Sequence, residues 1–354
     1  MGESGDAWHT AEAAGHQDGG VVTMDDVARA AGVSKITVSN VVNGRNRVGE
    51  PTRLRVLQAI DDLGYEMNLA ARYLRVGRTG AIGLLVPELE RPYFSQLARR
   101  LADRVEHHGM HLAVERTGAV RERQLSSVAK ERVQLYDGVV LSVTGLTTDD
   151  LRRVELGRPA LLIGEREVPG TFDHVLMDNV GGAQRATAHL LERGSRCVAV
   201  VGGAAQNEVA EMVTLRTQGW RRAHEAAGLA ADPDLVVELE ALDMGFARQA
   251  VHRLLTERPD VDGIVAVTDV VAFGVLRALA DLGRSVPGDV QVIGFDNVDE
   301  GEYSVPSLSS VEPGNDEMAD AIVELLVRRI GATEPVDAQV VMPTPRLVLR
   351  ESTR

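Results

Sequence analysis

Lys35, Ile36, Ser39 and Asn40 lie along one short stretch that reads as a helix, and their side chains hold the chemistry needed to read base-pair edges. A lysine ammonium donates to guanine O6 and N7. An asparagine carboxamide bridges adenine, and an isoleucine packs on a thymine methyl. Val38, Val41 and Val42 share the same stretch, with Val33 just before it, and can face a small core while the four polar or exposed positions point outward. The chain has only two lysines, Lys35 and Lys130, so a lysine opening this helix stands out against the alternative of a plain solvated side chain.

The elements that must position these residues are legible around them. Thr23 caps a first helix, with Asp26 three residues on as in a capping box, and the helix runs to Ala31 before Gly32 turns the chain. Ser34 caps the second helix, Lys35–Val42, which closes before Asn43-Gly44. Gly49-Glu50-Pro51 opens a third helix, with proline where a missing N–H does no harm. Its apolar face is expected to be Leu54, Leu57, Ile60 and Leu63, with Gly64 as its end. Three short helices with a tight first turn suit entry into the DNA major groove.

The net charge of −14 opposes DNA binding until it is divided along the chain. Residues 21–79 carry nine Lys and Arg against six Asp and Glu, whereas residues 1–20 carry four acids and no Lys or Arg. A mildly basic head on an acidic body binds phosphate through the head and repels DNA elsewhere. Residues 1–20 have neither a basic start nor an apolar core, so they read as a disordered leader rather than an export signal. The apolar runs are strand-sized and too short to span a membrane. The single cysteine, Cys197, forms no internal disulfide and suits a reducing, cytoplasmic setting.

From Gly80 the pattern changes to apolar strands alternating with amphipathic helices. Strands are expected at 81–86, 111–115, 138–143, 161–163, 175–177, 197–201, 235–238, 263–267 and 290–294. Helices are expected at 93–108, 121–134, 179–193, 209–227, 244–257, 270–282 and 318–330. Two such series imply an α-helical helix-turn-helix head followed by an α/β body of two doubly wound parallel-sheet subdomains, with a ligand cleft at the carboxyl ends of the strands.

These features together resemble the LacI/GalR family of bacterial transcription regulators. The resemblance rests on Thr-Met-Asp-Asp-Val-Ala-Arg-Ala-Ala-Gly-Val-Ser-Lys-Ile-Thr-Val-Ser-Asn-Val-Val-Asn-Gly (23–44) and Asn-Leu-Ala-Ala-Arg-Tyr-Leu-Arg (68–75). In the body it rests on Ile-Gly-Leu-Leu-Val-Pro (82–87), Arg-Pro-Tyr-Phe (91–94), Thr-Asp-Val-Val-Ala-Phe-Gly-Val-Leu (268–276) and Val-Pro-Gly-Asp-Val-Gln-Val-Ile-Gly-Phe-Asp (286–296). It implies a periplasmic-binding-protein-like body, a homodimer on a pseudo-palindromic double-stranded DNA operator, and a small carbohydrate effector. By the same resemblance Lys35, Ile36 and Asn40 read bases, and Thr23, Ser34, Thr37, Ser39 and Asn43 touch phosphate. Many relatives carry Arg in place of Asn40, so the operator is expected to differ there. Leu74 matches a leucine that wedges into the minor groove, and Ala70, four residues earlier on the same face, is where two hinges could pair. Leu74→Ala is then expected to lose specific operator binding while keeping weak, salt-sensitive attachment.

For the effector, the resemblance points to Tyr93, Phe94, Arg216, Asp269 and Asp296. Core packing is the competing reading for the two aromatics, and helix capping for Asp269. Gly164 stands where relatives often carry Asp, which removes one hydrogen-bond partner for a sugar; Glu165 or Arg166 could substitute.

The expected organisation is a leader (1–20), a DNA-binding head (21–67), a hinge helix and linker (68–79) and an effector-binding and dimerisation body (80–354). The body is expected to divide into 80–178 with 313–331, and 180–310 with 332–354. No leucine heptad follows the last strands, so the expected assembly is a dimer rather than a tetramer. An α/β enzyme and a transporter's solute-binding protein are the rival readings. Against the enzyme, Gly109 interrupts the helix between His107, His108 and His111, and Gly202-Gly203 lacks a phosphate-loop lysine. No catalytic arrangement, cofactor or metal site stands out. A solute-binding protein would have no use for the head.

Overall fold

The computed structural model describes residues 22–42, 48–65, 78–154, 156–165, 170–204 and 211–354. The head and the body form separate compact units, one ending at Val76 and the other starting at Gly77.

In the head, α1 (Met24–Ala31), α2 (Lys35–Val42) and α3 (Glu50–Leu63) enclose a core of Val27, Val38 and Val56, all fully buried, with Ala28, Ala31 and Ala59 filling between them. The capping box at Thr23 forms: the Asp26 N–H donates to Thr23 Oγ1 at 3.4 Å, and the Thr23 N–H donates to Asp26 Oδ2 at 3.0 Å. Gly32 takes a left-handed conformation that a side chain would resist, and so makes the turn into α2. Val33, Val41 and Val42 pack against the core as their spacing implies. The third helix differs from expectation. Its buried face is Val56, Ala59 and partly Ile60, while Leu54, Leu57 and Leu63 are exposed. Only the one stripe of α3 that meets α1 and α2 is covered, and small residues there allow close approach of the helices.

The body contains two six-stranded sheets. In the first, β1 (Ala81–Val86), β2 (His111–Arg116), β3 (Gly138–Ser142), β4 (Ala160–Ile163), β5 (Asp173–Val175) and β11 (Val340–Val341) stand in the order β2-β1-β3-β4-β5-β11, and all pairs are parallel. The second repeats this order as β7-β6-β8-β9-β10-β12. Its strands are β6 (Val198–Val201), β7 (Val236–Val237), β8 (Gly263–Ala266), β9 (Gln291–Phe295), β10 (Ser309–Glu312) and β12 (Arg346–Val348), and only the β10–β12 pair is antiparallel. Strand order reverses at β1/β3 and at β6/β8, where doubly wound sheets leave a crevice at the strands' carboxyl ends. The central strands are apolar and buried throughout, as parallel strands covered on both faces must be.

Three local departures have physical reasons. The expected helix 121–134 breaks into Arg121–Ser127 and Lys130–Val133, because Ala129 leaves helical geometry; the break lets both Val128 and Val133 enter the core beside β3. The strand β10 has no apolar signature, because its serines bond inward: Ser310 Oγ donates to Asp269 Oδ1 at 2.6 Å, and Ser309 Oγ lies 2.8 Å from the Thr353 hydroxyl. Finally, 332–354 does not belong to the second half alone. Val340–Val341 extends the first sheet, fixed where the Gln339 N–H donates to the buried Asp173 at 2.7 Å, and only Arg346–Val348 returns to the second.

Candidate functional site: the cleft between the two sheets

The loops that leave the carboxyl ends of β1, β3, β4, β5, β8 and β9 converge on a cavity of about 180 Å³ lined by residues of both halves. Tyr93 and Phe94 begin the helix Pro92–Glu106 and meet edge to face, with ring centroids 5.1 Å apart. Arg216, on the helix Met212–Ala226, is 3 % exposed. Its Nε donates to Asn179 Oδ1 at 2.7 Å, and its Nη1 donates to the Val267 carbonyl and to Asp296 Oδ1, the latter at 3.2 Å. The guanidinium also lies over Phe295, 3.5 Å from the ring centroid. The Asn179 amide in turn donates to Glu165 Oε1 at 3.2 Å, so one chain of bonds joins Asp296, Arg216, Asn179 and Glu165.

Asp296 sits at φ 110°, a conformation costly for any residue with a side chain. Its neighbours hold it there. The Asp296 N–H donates to Val311 O at 3.0 Å, Asn315 Nδ2 donates to Asp296 O at 2.9 Å, and the Val298 N–H two residues on donates to Asp269 Oδ2 at 2.8 Å. Burial raises the Asp296 carboxyl to about 6, against the pull of the neighbouring Arg216. The Tyr93 hydroxyl is likewise pushed up, first by burial and then by Asp296.

Of the five expected effector residues, Tyr93, Phe94, Arg216 and Asp296 line the cavity together. Asp269 does not. It is fully buried behind the loop, bonded to Ser310 and to the Val298 N–H, and the Cβ-less Gly294 admits its carboxylate. Burial and the nearby Asp296 hold its pKa well above the usual carboxylate range. It positions the loop that carries Asp296. It is not the helix cap either, because the Val271 N–H donates to Thr268 Oγ1. Asn179, Ser142, Thr144 and Thr268 have no local sequence signal for a ligand, yet Asn179 is central to the bonding and the other three line the wall. Gly164 lines the cavity at φ 118°, and Glu165 beside it supplies a carboxylate, while Arg166 lies outside the described residues.

On the head, Ile36 is 73 % exposed. Lys35 Nζ reaches Asp25 at 2.6 Å on an open surface, Asn40 and Ser39 are half-buried, and the Ser34 and Thr37 hydroxyls lie 2.9 Å apart. Ser34 also caps α2, accepting from the Thr37 N–H at 3.2 Å. Thr23 is engaged in its capping box. Asn43, Ala70 and Leu74 lie outside the described residues. His107, His108 and His111 form no metal-binding group among the described residues, and no helix among them is long and apolar enough to cross a membrane.

Residues 23–68 match the pattern of the bacterial regulatory proteins of the lacI family, and residues 187–353 match a periplasmic binding protein-like domain. The chain is 32 % identical over 334 residues to the ribose operon repressor of Halalkalibacterium halodurans, covering 94 % of this chain and 98 % of that one. The chain belongs to the LacI family. A LacI-family regulator structure from Sanguibacter keddieii is 41 % identical, with a TM-score of 0.72 over 78 % of this chain and 99 % of that one. The structure of the transcriptional regulator CelR in complex with cellobiose is 30 % identical, with a TM-score of 0.68 over 94 % of this chain and 99 % of that one. As a LacI-family member the protein is a DNA-binding transcriptional regulator and not an enzyme, which also sets aside the solute-binding reading.

Proposed function

We propose that this LacI-family protein is a cytoplasmic repressor that binds a pseudo-palindromic operator as a homodimer and changes its operator affinity when a sugar or sugar derivative enters the cleft. The observation that carries the effector half is the chain of donors and acceptors from Asp296 through Arg216 to Glu165, set beside Tyr93 and Phe94. Sugar hydroxyls both donate and accept, and the apolar face of a sugar ring stacks on an aromatic, so this mixture suits a neutral polyol better than a purely apolar ligand. The cellobiose complex of CelR and the name of the ribose operon repressor support the same class.

On the DNA half, Lys35, Ile36 and Asn40 read bases, while Thr23, Ser34, Thr37, Ser39 and Asn43 hold phosphates. Ala70 and Leu74 pair and wedge in the minor groove. A ligand that touches both halves favours the arrangement in which both contacts are made, and it can shift the operator-competent state only by that difference in affinity. A thermal-shift screen against sugars and sugar derivatives tests the reading, since a ligand that binds only the folded chain raises the melting temperature. The expected result is a hit lost in Arg216→Ala and in Asp296→Ala, whose addition to an operator titration then gives its sign. A hit that survives both substitutions contradicts the cleft assignment.

A further inference from the structure

The cleft does not end at the cavity around Arg216. A second space of about 480 Å³ adjoins it, and Glu88, Arg91 and Leu242 line both. Glu88 and Arg91 come from the loop after β1 and form an ion pair, while Leu242 reaches across from the loop after β7, so the neck between the two spaces is built by both halves. The two spaces differ in chemistry. The inner one is faced by aromatic and thioether side chains with a few polar groups at its wall. The outer one lies at the carboxyl ends of β6 and β7, among Gly203, Ala204, Glu238, Leu239, Glu240 and Ala241.

Size separates them as well. Small-molecule sites commonly enclose roughly 300–1,000 Å³; the inner space of about 180 Å³ falls short of that, and the outer space, an open groove beside it, adds the missing room.

Resting on the reading of the cleft as a sugar site, we infer that the effector is at least two sugar rings long, with its first ring beside Tyr93 and Arg216 and its second in the outer space. The outer lining suits a second neutral ring. Leu239 and Leu242 offer an apolar face, the exposed carboxylate of Glu240 accepts hydrogen bonds from hydroxyls, and the Glu88–Arg91 pair at the neck offers both donor and acceptor to the linking oxygen and its neighbours. Glu240 and Ala241 are exposed at the rim, so the site takes a ligand without opening the core.

Isothermal titration calorimetry of the full chain tests this with glucose, galactose, ribose and xylose against cellobiose, lactose, maltose and xylobiose. The parent is expected to bind at least one disaccharide about tenfold or more tightly than either component ring, the scale of one or two hydrogen bonds to charged groups. In Ala241→Trp, which fills the outer space from its rim, the two affinities are expected to converge. Glu240→Ala, at an exposed position, is expected to lose part of the same advantage. If a single ring binds as tightly as every disaccharide, or if the advantage survives Ala241→Trp, the inference fails while the cleft remains a sugar site. If no sugar of either length binds, the sugar reading fails and the inference with it.

Discussion

Replacing Arg216 by methionine tests the electrostatic centre of the cleft. The guanidinium is 3 % exposed and serves three oxygen acceptors, on Asn179, Val267 and Asp296, besides the Met177 sulfur. A methionine keeps much of the volume over Phe295 and supplies none of the donors. Removing one member of a buried ion pair costs about 3–5 kcal/mol, because the partner charge is left in a poorly solvated place. Asp296 moderates the loss by taking up a proton more readily once Arg216 no longer holds its pKa down. An acid whose folded pKa exceeds its unfolded value stabilises fully below the unfolded value and loses that contribution as pH rises through the folded one. For the parent this window runs from the ordinary value of 3.8 to about 6. In Arg216→Met its upper edge moves higher, so the variant is expected to fall further behind the parent at pH 8 than at pH 5. Urea unfolding followed through the fully buried Trp220, in the same half, reads the difference. The double variant Arg216→Met/Asp296→Asn is expected to recover about 1–3 kcal/mol relative to the sum of the single effects. Strict additivity, or a single-variant loss under about 0.5 kcal/mol, would refute the idea that the two groups stabilise each other.

Three further outcomes follow from particular residues. Effector affinity is expected to be flat above about pH 6 and to weaken below it as Asp296 protonates, and Asp296→Asn removes that dependence; calorimetry across pH checks both. Gly164→Asp, which supplies the residue many relatives carry, is expected to destabilise by about 1–3 kcal/mol rather than improve binding, because φ is 118° and a Cβ would stand 3.3 Å from the Val143 carbonyl; melting temperatures decide. Lys35→Ala is expected to weaken operator binding by about 1–3 kcal/mol with an unchanged melting temperature, since its exposed pair with Asp25 adds little to folding; fluorescence anisotropy and a thermal melt check the two halves of the claim.

The elements most legible in the sequence are those whose signals are local. The Thr23 capping box, the Gly32 turn and the apolar runs of β1, β3, β6 and β8 each announce themselves within a few residues. Long-range pairing is less legible. Ser309–Glu312 looks like a loop, because its serines are satisfied by Asp269 and Thr353, far away in the chain. The apolar spacing of Leu54, Leu57 and Leu63 on α3 points to the wrong face, since packing selects the smaller Val56 and Ala59. In the cleft, the resemblance points to Arg216, Asp296, Tyr93 and Phe94, and these four line one cavity. It could not separate a residue that faces the cavity from one that braces it, and Asp269 proved to be a brace. Asn179, which ties Arg216 to Glu165, carries only a general signal, that of a polar residue opening a helix a few residues after a strand.

The most direct test of the central claim is in vitro selection of DNA by the full chain, followed by titration of the enriched sequence with and without the panel of single-ring sugars and disaccharides. The account predicts enrichment of a site with approximate two-fold symmetry, and a shift in its affinity by at least one sugar that Asp296→Ala abolishes. Failure to enrich any sequence, or a site whose affinity no sugar moves, would contradict it.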